Sequence, residues 1–456
     1  MKKKFLYFSS IFILTMFFLI IIFTQNTYSE FNSSNVKKTI EVLSSRSFNG
    51  RLAGSAENSL TCDFIKEKFT EYGLKDFKGS YIQEFNTVCP VATNSTPYLK
   101  IYNGNDLECE LKYGVDFKED MINFKNNTFS FSSADTVAIM QNNIQVKCSN
   151  GNLLLYVSSK DSLNARSSFS SDFIFDSVIM ITDNTYKTIL AALKDNKSIS
   201  LSVPFTSEER SISNVVGVIK GINSSLPPLY ITAHFDHLGS DGAGNLYGGA
   251  LDNASGTAFM LELARTFSTY VKPNRDIVFV ALNAEELGLL GSKNFAENNI
   301  LDLKGSQVIN FDMIGSADTP ITLMQGTKFK NSNSKLLTSI EDICKANDVS
   351  YKVEYQDSSD HASFNNNGID SLTFCHSDMS KIHTPNDTVE YINVDAINSV
   401  YDVVEAKIKD YSYSSFTLLL YKPYLLIILP ILIGLLLAYP IICKNSTLLN
   451  NKCSKI

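Results

Sequence analysis

Apolar residues form two long uncharged runs near the ends of the chain, at residues 5–24 and 424–443. Runs of this length are long enough to cross a bilayer as helices. Lysines precede the first run and flank the second, so both charged ends are expected to stay in the cytoplasm. The pattern predicts a signal anchor or signal peptide at residues 1–29, a C-terminal transmembrane segment at residues 416–443 and a short basic tail at residues 444–456. The region between them is then expected on the extracellular side of the cell membrane.

The central region changes its periodicity twice. Residues 30–74 have helical spacing, and residues 89–205 contain short β-prone segments separated by Asn, Ser, Asp and Gly. From residue 206 onward, strand-like apolar segments alternate with amphipathic helices, one of them predicted at residues 253–270. The predicted strands in this part are residues 215–219, 229–233, 276–282, 307–311 and 371–375. Alternating strands and helices predict an α/β fold with a mostly parallel sheet flanked by helices.

We therefore expect three kinds of region in the chain. Residues 30–88 and 206–412 are predicted to form one α/β domain, residues 89–205 a β-rich insert, and the two terminal runs transmembrane helices. The 40 Lys and Arg residues against 47 Asp and Glu residues give a formal net charge of −7. This acidity argues against a nucleic-acid partner, whose binding site would be a basic face. The six cysteines of the central region have no metal-binding spacing, and their pairing stays open.

The five histidines of the chain all lie between residues 234 and 383. Several acidic or imidazole residues in this part follow predicted strands, open a predicted helix or, for His383, lie in a loop shortly after a predicted strand. They are His234, Asp252, Glu285, Glu286, Asp312 and His383. The carboxyl ends of parallel strands form one crevice, so we expect these side chains to meet there. So many carboxylates would repel one another unless a divalent cation neutralised them.

Each of these residues also has a simpler explanation when it is taken alone. An acid after a strand is often a helix cap, and the adjacent Glu285 and Glu286 can be a solvated helix start. The shared position at one sheet edge favours the metal site. Mixed imidazole and carboxylate ligands suit zinc, whereas an all-oxygen set would indicate magnesium or calcium.

Six motifs resemble, in order, those of the M28 zinc aminopeptidases: AHFDHLG, GALDNASGTA, NAEELGLLGS, NFDMIG, SSDHASF and IHTPNDT. The resemblance extends over roughly residues 205–390 and implies a zinc-peptidase/phosphorylase-like fold. The insert is similar to the protease-associated (PA) domain of many members. The resemblance further implies two zinc ions, with His234 and Asp312 on one, Glu286 and His383 on the other, and Asp252 bridging both.

The same resemblance gives roles to residues beside the metals. It implies that Glu285 is the general base and that Asp236 orients the His234 ring. His361, Asp360 and Tyr355 are candidate pocket residues, and Tyr355 is also the candidate for the oxyanion-stabilising tyrosine of some members. His237 and His376 are expected to be hydrogen-bonding loop residues.

The sequence thus predicts an exported, membrane-anchored two-zinc aminopeptidase that acts on peptides with a free N-terminus. Carboxypeptidase or dipeptidase action stays open. One alternative is an acyltransferase similar to glutaminyl cyclase on the same fold. The other is a non-catalytic receptor-type ectodomain.

Overall fold

Three β-sheets and twelve α-helices make up the computed structural model, which describes residues 2–159, 162–317 and 319–453. The strands are β1 (Lys75–Asp76), β2 (Ile82–Ala92), β3 (Tyr98–Asn103), β4 (Asp106–Leu111), β5 (Phe117–Phe124), β6 (Thr128–Phe131), β7 (Thr136–Met140), β8 (Asn143–Cys148), β9 (Gly151–Val157), β10 (Ser177–Ile181), β11 (Ser198–Ser202), β12 (Phe205–Ile219), β13 (Leu229–His234), β14 (Ile277–Leu282), β15 (Gln307–Phe311), β16 (Ile321–Gln325), β17 (Tyr351–Tyr355) and β18 (Asp370–His376). The helices are α1 (Lys2–Thr27), α2 (Ser33–Leu43), α3 (Ala56–Glu71), α4 (Asp183–Lys194), α5 (Gly256–Ser268), α6 (Leu290–Asn298), α7 (Ile300–Leu303), α8 (Lys335–Ala346), α9 (His361–Asn366), α10 (Val394–Ser412), α11 (Ser415–Leu419) and α12 (Leu425–Cys453).

The central sheet has nine strands in the order β1, β12, β14, β13, β15, β18, β16, β17, with β2 paired to β12 as well. The four strands β14, β13, β15 and β18 are parallel, whereas β12 is antiparallel to β14 at one side of this group and β16 is antiparallel to β18 at the other. The α/β prediction is confirmed, and the sheet is mixed but mostly parallel at its centre. The carboxyl ends of the four parallel strands therefore meet at one edge of the sheet.

Both faces of this sheet are covered by helices. In β14, Ile277, Phe279 and Ala281 belong to a core cluster that also contains residues of α2, α3, α5, α8 and α10. The alternate residues Val278, Val280 and Leu282 belong to a second cluster, together with residues of α6, α7 and α9. The alternation follows from the two-residue period of a strand. It explains why these strands read as continuous apolar runs.

The helix predicted at residues 253–270 begins later than predicted. Residues Ala250–Ser255 form an irregular turn in which Asp252 and Asn253 have non-helical backbone angles, and α5 starts at Gly256. Side-chain periodicity could not show this, because the turn residues are buried like the helix residues that follow them.

The insert contains the other two sheets. One has five strands in the order β5, β10, β9, β8, β7, and the other has four in the order β4, β3, β11, β6. Strands β2 and β12 join the insert to the central sheet as an antiparallel ribbon that pairs residues 82–92 with residues 205–215. The predicted junctions at residues 88–89 and 205–206 lie within or at the end of this ribbon. The division into domains stays a prediction.

The terminal helices α1 and α12 lie side by side. Tyr7 Oη donates a hydrogen bond to the Leu436 carbonyl, and Gln25 Nε2 donates to the Leu420 carbonyl at 3.1 Å. Because the residue numbers rise along α1 while those of its partners in residues 420–436 fall, α1 and the C-terminal segment are antiparallel. Among the described residues, Phe5–Thr27 is long and apolar enough to cross a membrane, and Leu425–Pro440 is a shorter apolar stretch. In the predicted tail at residues 444–456, the structure describes only the backbone of residues 444–453. The side chains of the tail and residues 454–456 lie outside the described part.

Candidate metal centre

Acidic and imidazole side chains converge at the carboxyl edge of the central sheet. His234 is the last residue of β13, Asp312 follows β15 directly, and Glu285 and Glu286 lie just beyond the end of β14. A cleft of about 460 Å³ opens at this edge. Its lining includes Asp252, Glu285, Glu286, Asp312 and His383. His234 is fully buried beneath it. The structure therefore brings all six residues of the sequence prediction together.

Asp252 lies between two imidazole rings. Its Oδ1 atom is 3.5 Å from His234 Nε2, and its Oδ2 atom is 3.2 Å from His383 Nε2. Asp312 Oδ1 lies 3.4 Å from the same His234 nitrogen, and Glu286 Oε1 lies 3.3 Å from the same His383 nitrogen. The site consists of two pairs of histidine and carboxylate that share Asp252.

Two groups of ligand atoms in the described part of the chain can each hold a metal ion. They are His234, Glu285 and Asp312, and His237, Asp252 and Glu286, and within each group the ligand atoms lie within 4.8 Å of one another. The buried atoms His234 Nε2 and Asp312 Oδ1 have no hydrogen-bond partner among the described residues. Buried polar atoms without partners are costly, and a cation between these two would satisfy both. The mixed imidazole and carboxylate donors fit zinc.

Asp236 fixes the two adjacent glutamates through their backbone. Its Oδ1 atom accepts a hydrogen bond from the Glu285 N–H at 3.0 Å, and its Oδ2 atom accepts one from the Glu286 N–H at 3.1 Å. Asp236 Oδ1 also lies 3.6 Å from His234 Nδ1, although the hydrogen-bond partner of that nitrogen is the Asp236 carbonyl at 3.3 Å. Asp236 thus links the β13 loop to the β14 loop.

Asp387 holds the loop of Asp252 in the same manner, and sequence reasoning missed it. Its Oδ1 atom accepts a hydrogen bond from the Leu251 N–H at 2.8 Å, and its Oδ2 atom accepts one from the Asp252 N–H at 3.0 Å. The available signal was an acid within the motif that contains His383. Asp387 therefore couples the loop of His383 to the loop of Asp252.

The Glu286 carboxylate has two further partners. His237 Nδ1 is 2.9 Å from Glu286 Oε1, and Ser168 Oγ donates a hydrogen bond to Glu286 Oε2 at 2.7 Å. His237 is thus a hydrogen-bonding residue inside the site. Ser168 was not predicted, because it lies 118 residues before Glu286 in the chain and no local pattern links the two.

The clustering of charges shifts several pKa values. Burial favours the protonated form of Glu286, but the charge of His383 together with the hydrogen bonds from His237 and His383 lowers the pKa of Glu286 to about 2. Burial opposes the charge of His383 in turn, yet Glu286 and Asp252 raise the pKa of His383 to about 12. Burial and the charge of Glu286 raise the pKa of Glu285 well above its usual range, although His234 opposes them. Without a metal ion, protons therefore supply the positive charge that these carboxylates require.

The three candidate pocket residues lie around the cleft. Both ring nitrogens of the buried His361 are hydrogen-bonded, at 2.7 and 2.8 Å. Asp360 is buried, and burial raises its pKa to about 7. Tyr355 packs against the main core, while its strand neighbours Glu354 and Gln356 line the cleft. None of the three belongs to the described lining of the cleft, and their pocket roles stay predictions.

Left-handed backbone occurs at three non-glycine residues of the site. Ala284, directly before Glu285, has a φ angle of 56°, and Met313, directly after Asp312, has one of 61°. His383 itself has a φ angle of 57°. Such angles cost roughly 1 kcal/mol or more in residues other than glycine and are concentrated at functional sites. Sequence could not reveal them, because none of these residues favours that conformation.

A mostly parallel α/β sheet with paired histidines and carboxylates at its carboxyl edge is typical of metal-dependent hydrolases. Residues 214–408 match Peptidase family M28. The match agrees with the resemblance of the motifs to this family. The matched segment contains all six residues that converge at the cleft.

Two curated relatives match parts of the chain. Aminopeptidase YwaD of Bacillus subtilis (strain 168) is 33% identical over 227 residues, which cover 48% of this chain and 48% of that protein. A glutamate carboxypeptidase 2 homolog of Caenorhabditis elegans is 38% identical over 129 residues, which cover 26% of this chain and 16% of that protein. The chain thus spans half or less of the length of these relatives.

Two solved structures share the fold. BSAP, a zinc aminopeptidase from Bacillus subtilis, has a TM-score of 0.61 at 21% identity, covering 84% of this chain and 96% of that structure. An aminopeptidase from Aneurinibacillus sp. strain AM-1 has a TM-score of 0.57 at 21% identity, covering 86% of this chain and 96% of that structure. At this identity the likeness establishes the fold.

Proposed function

We propose that the chain is a two-zinc aminopeptidase that removes N-terminal residues from peptides. The observation that carries the proposal is the position of Asp252, whose two oxygens face two different histidines. One carboxylate shared by two donor pairs fits two adjacent cations better than one. His234 and Asp312 would hold the first zinc ion, and Glu286 and His383 the second.

The chemistry is divided between the metals and the chain. Zinc ions, when bound, would lower the pKa of a water molecule and polarise the scissile carbonyl. Glu285 acts as the general base, taking a proton from the attacking water and giving it to the leaving amine. Its half-buried side chain lines the cleft, its backbone is fixed by Asp236, and burial raises its pKa well above the usual range of a carboxyl group.

The substrate class is supported by the relatives and by the size of the cleft. Aminopeptidase YwaD and the zinc aminopeptidase BSAP act, by their names, on N-terminal residues. A volume of about 460 Å³ is in the usual range of small-ligand sites. We further propose that residues 30–88 and 206–412 form the peptidase domain and that residues 89–205 form a PA-like insert, joined to it through the β2–β12 ribbon.

The substitution Glu285→Gln tests the proposed mechanism. It removes the proton acceptor and keeps the side-chain shape, so we expect two zinc ions per chain to remain bound. Turnover of unblocked peptides should fall at least about 100-fold. Zinc content by elemental analysis and amino-acid release with and without chelator are the measurements. The exposed Glu297, changed to Gln in the same way, is the matched control and should keep full activity.

Other results would reject the proposal. Near-normal turnover by Glu285→Gln would show that Glu285 is not the base. Conversion of N-terminal glutamine to pyroglutamate without peptide hydrolysis would favour the acyltransferase. Bound zinc without release from any peptide library would favour the non-catalytic ectodomain.

We also propose that both terminal helices lie in the cell membrane, with the peptidase domain outside and the short tails in the cytoplasm. The proposal is supported by the length and composition of Phe5–Thr27 and by its outward-facing apolar side chains, such as Phe5, Phe8 and Phe12, which are 75%, 65% and 66% exposed. It is supported as well by the antiparallel contact between α1 and α12, which brings both chain ends to one side.

A further inference from the structure

A short segment of the insert, residues 166–169, lies directly against the second half of the metal centre. The Arg166 N–H donates a hydrogen bond to the His383 carbonyl at 3.0 Å, and the Phe169 N–H donates to the Glu286 carbonyl at 2.8 Å. Between them, Ser168 Oγ donates to Glu286 Oε2 at 2.7 Å. One segment thus contacts both residues that face each other across the second metal position.

The insert holds this segment firmly. The Ser167 N–H and Oγ both donate to the carboxylate of Asp120, at 2.7 and 2.9 Å, and Asp120 is a buried residue of β5. Asn123, three residues after Asp120 in the same strand, donates a hydrogen bond from Nδ2 to the Ser170 carbonyl at 3.1 Å. The position of Ser168 is therefore set by β5.

Arg166 attaches the insert to the loop of His234. Its buried guanidinium donates hydrogen bonds to the carbonyls of Leu238 and Ser240, at 2.6 and 3.2 Å. It lies over the rings of Phe205 and Tyr247, with centroid distances of 5.0 and 5.3 Å.

The apolar core of the insert is also continuous with the site. Phe169 belongs to the same hydrophobic cluster as Leu238, Ala284 and Leu287, which flank the motifs of the peptidase domain. Residues 166–169 are therefore held from both sides. Ser168 of this segment lines the cleft.

We propose that Ser168 is a positioning residue for the second metal position, and that the insert completes this position. The inference rests on the proposed two-zinc function. Its physical basis is the orientation of the Glu286 carboxylate. The hydroxyl of Ser168 binds Oε2, while Oε1 faces the nitrogens of His237 and His383. Without Ser168, the carboxylate loses the partner that fixes its rotation about the terminal bond.

The expected effect is confined to one metal ion. Removing a residue that orients a metal ligand typically weakens metal binding about 10–100-fold. Ser168 contacts Glu286 and no ligand of the first position in the described structure. Its side chain is exposed at the cleft, so its truncation leaves no buried cavity.

Three single variants of the full chain test the proposal. Ser168→Ala removes the hydroxyl, Ser168→Thr keeps it, and Ser170→Ala removes an exposed hydroxyl two residues further along the same segment. Zinc titration against a competing chelator measures the affinity of each of the two zinc equivalents. Peptidase assays at limiting and at excess zinc give kcat and KM.

For Ser168→Ala we expect one zinc equivalent to bind about 10–100-fold more weakly and the other to be unchanged. Its kcat should fall at limiting zinc and recover in excess zinc, with KM unchanged. Ser168→Thr should behave like wild type, and so should Ser170→Ala. This rescue by threonine would not follow from a merely structural effect of the alanine.

Two outcomes overturn the inference in distinguishable ways. If wild type binds two zinc ions and is active, but Ser168→Ala has the zinc affinities of Ser170→Ala, the positioning role is wrong and the proposed function stands. If wild type does not bind two zinc ions, the proposed function fails and this inference fails with it.

Discussion

Two carboxylates of this site, those of Asp236 and Asp387, bind backbone N–H groups with both of their oxygens. Each therefore holds the main chain of a neighbouring loop, so that the side chains of Glu285, Glu286 and Asp252 point into the cleft. Charge-assisted hydrogen bonds of this kind are stronger than neutral ones. At the scale of residues, two of the six acids at the site, Asp236 and Asp387, position the backbone of the other loops.

Protonation of the histidines predicts the pH dependence of zinc binding. His383, with its pKa raised to about 12, and His234, with its pKa also raised, carry protons in the metal-free protein at neutral pH. Zinc must displace these protons, so its affinity rises with pH and falls on acidification. The pKa of Glu286, about 2, keeps that carboxylate ionised throughout.

Zinc titrations between about pH 5 and about pH 7 check this prediction. We expect the affinity to increase about tenfold per pH unit for each proton released. Proton release can be measured directly with an indicator in weakly buffered solution. The substitution His376→Gln is the control, because His376 Nδ1 accepts a hydrogen bond from the Gly315 N–H at 3.1 Å and the ring lines a different cavity from the metal cleft. Affinity independent of pH would contradict the raised pKa values.

The motifs were enough to predict which six side chains converge, because the strand ends and the family resemblance point to the same six positions. Sequence could not predict Asp387 or Ser168. Their roles depend on contacts between loops 135 and 118 residues apart, respectively. The roles of the six predicted residues as ligands and base remain predictions, although the structure places them in one cleft.

At the scale of elements, the turn Asn49–Arg51 lies where the end of α2, the loop of His234 and the loop of Asp252 meet. All three of its residues have left-handed backbone, with φ angles of 40°, 67° and 51°. A Cβ atom at the middle residue, Gly50, would lie 2.4 Å from the Tyr247 carbonyl, so only glycine fits. The turn places the buried side chain of Arg51 beneath the loops of His234 and Asp252.

The Arg51 guanidinium donates four hydrogen bonds to backbone carbonyls. Its Nε binds the Phe235 carbonyl at 2.8 Å, its Nη1 binds those of Leu43 and Gly248 at 2.6 and 2.8 Å, and its Nη2 binds that of Gly249 at 3.0 Å. The cost of burial is offset by nearby carboxylates. Burial lowers the pKa of Arg51 to about 10, against the effect of Asp387 and Asp236.

Arg51→Met should destabilise the protein strongly. It leaves four buried carbonyls without their donor, and each unsatisfied group costs about 1–3 kcal/mol, so we expect a loss of at least about 3 kcal/mol. Denaturant unfolding measures the change. The exposed Arg46, changed to Met, is the control and should be nearly neutral. Equal stability of the two variants would show that these four hydrogen bonds contribute little to the stability of the protein.

The elements of the central sheet were predictable because a covered parallel strand reads as one apolar run. Strand β12 was not predicted at its full length. Only its last five residues, 215–219, have this pattern, whereas the first part pairs with β2 and carries exposed polar side chains such as Glu208 and Glu209. The pairing of β12 with the distant strand β2 determines its length, and this pairing leaves no pattern in the hydrophobicity of β12 itself.

At the scale of the whole molecule, the helix pair is joined to the peptidase domain by a tyrosine cluster. The rings of Tyr270 and Tyr421 are stacked with centroids 4.4 Å apart, and Tyr28 lies edge-on to both at 5.6 and 5.4 Å. The Val271 N–H donates a hydrogen bond to Tyr421 Oη at 2.7 Å. Tyrosines are enriched where membrane proteins meet the headgroup layer. The cluster would hold the cleft in a fixed orientation to the bilayer.

Membrane attachment by a helix pair makes two predictions for the full chain. The protein should stay in the membrane pellet after an alkaline carbonate wash, because two paired apolar helices resist extraction. Phe17 and Phe416 have ring centroids 6.2 Å apart, so Phe17→Cys and Phe416→Cys should be joined by a short bis-maleimide. Phe5→Cys with Phe416→Cys is the matched pair, since Phe5 lies twelve residues before Phe17 in α1, about 18 Å along the helix axis, and it should not be joined. Cross-linked peptides are detected by mass spectrometry after digestion. Release of the protein by carbonate, together with loss of residues 1–29, would instead favour a cleaved signal peptide.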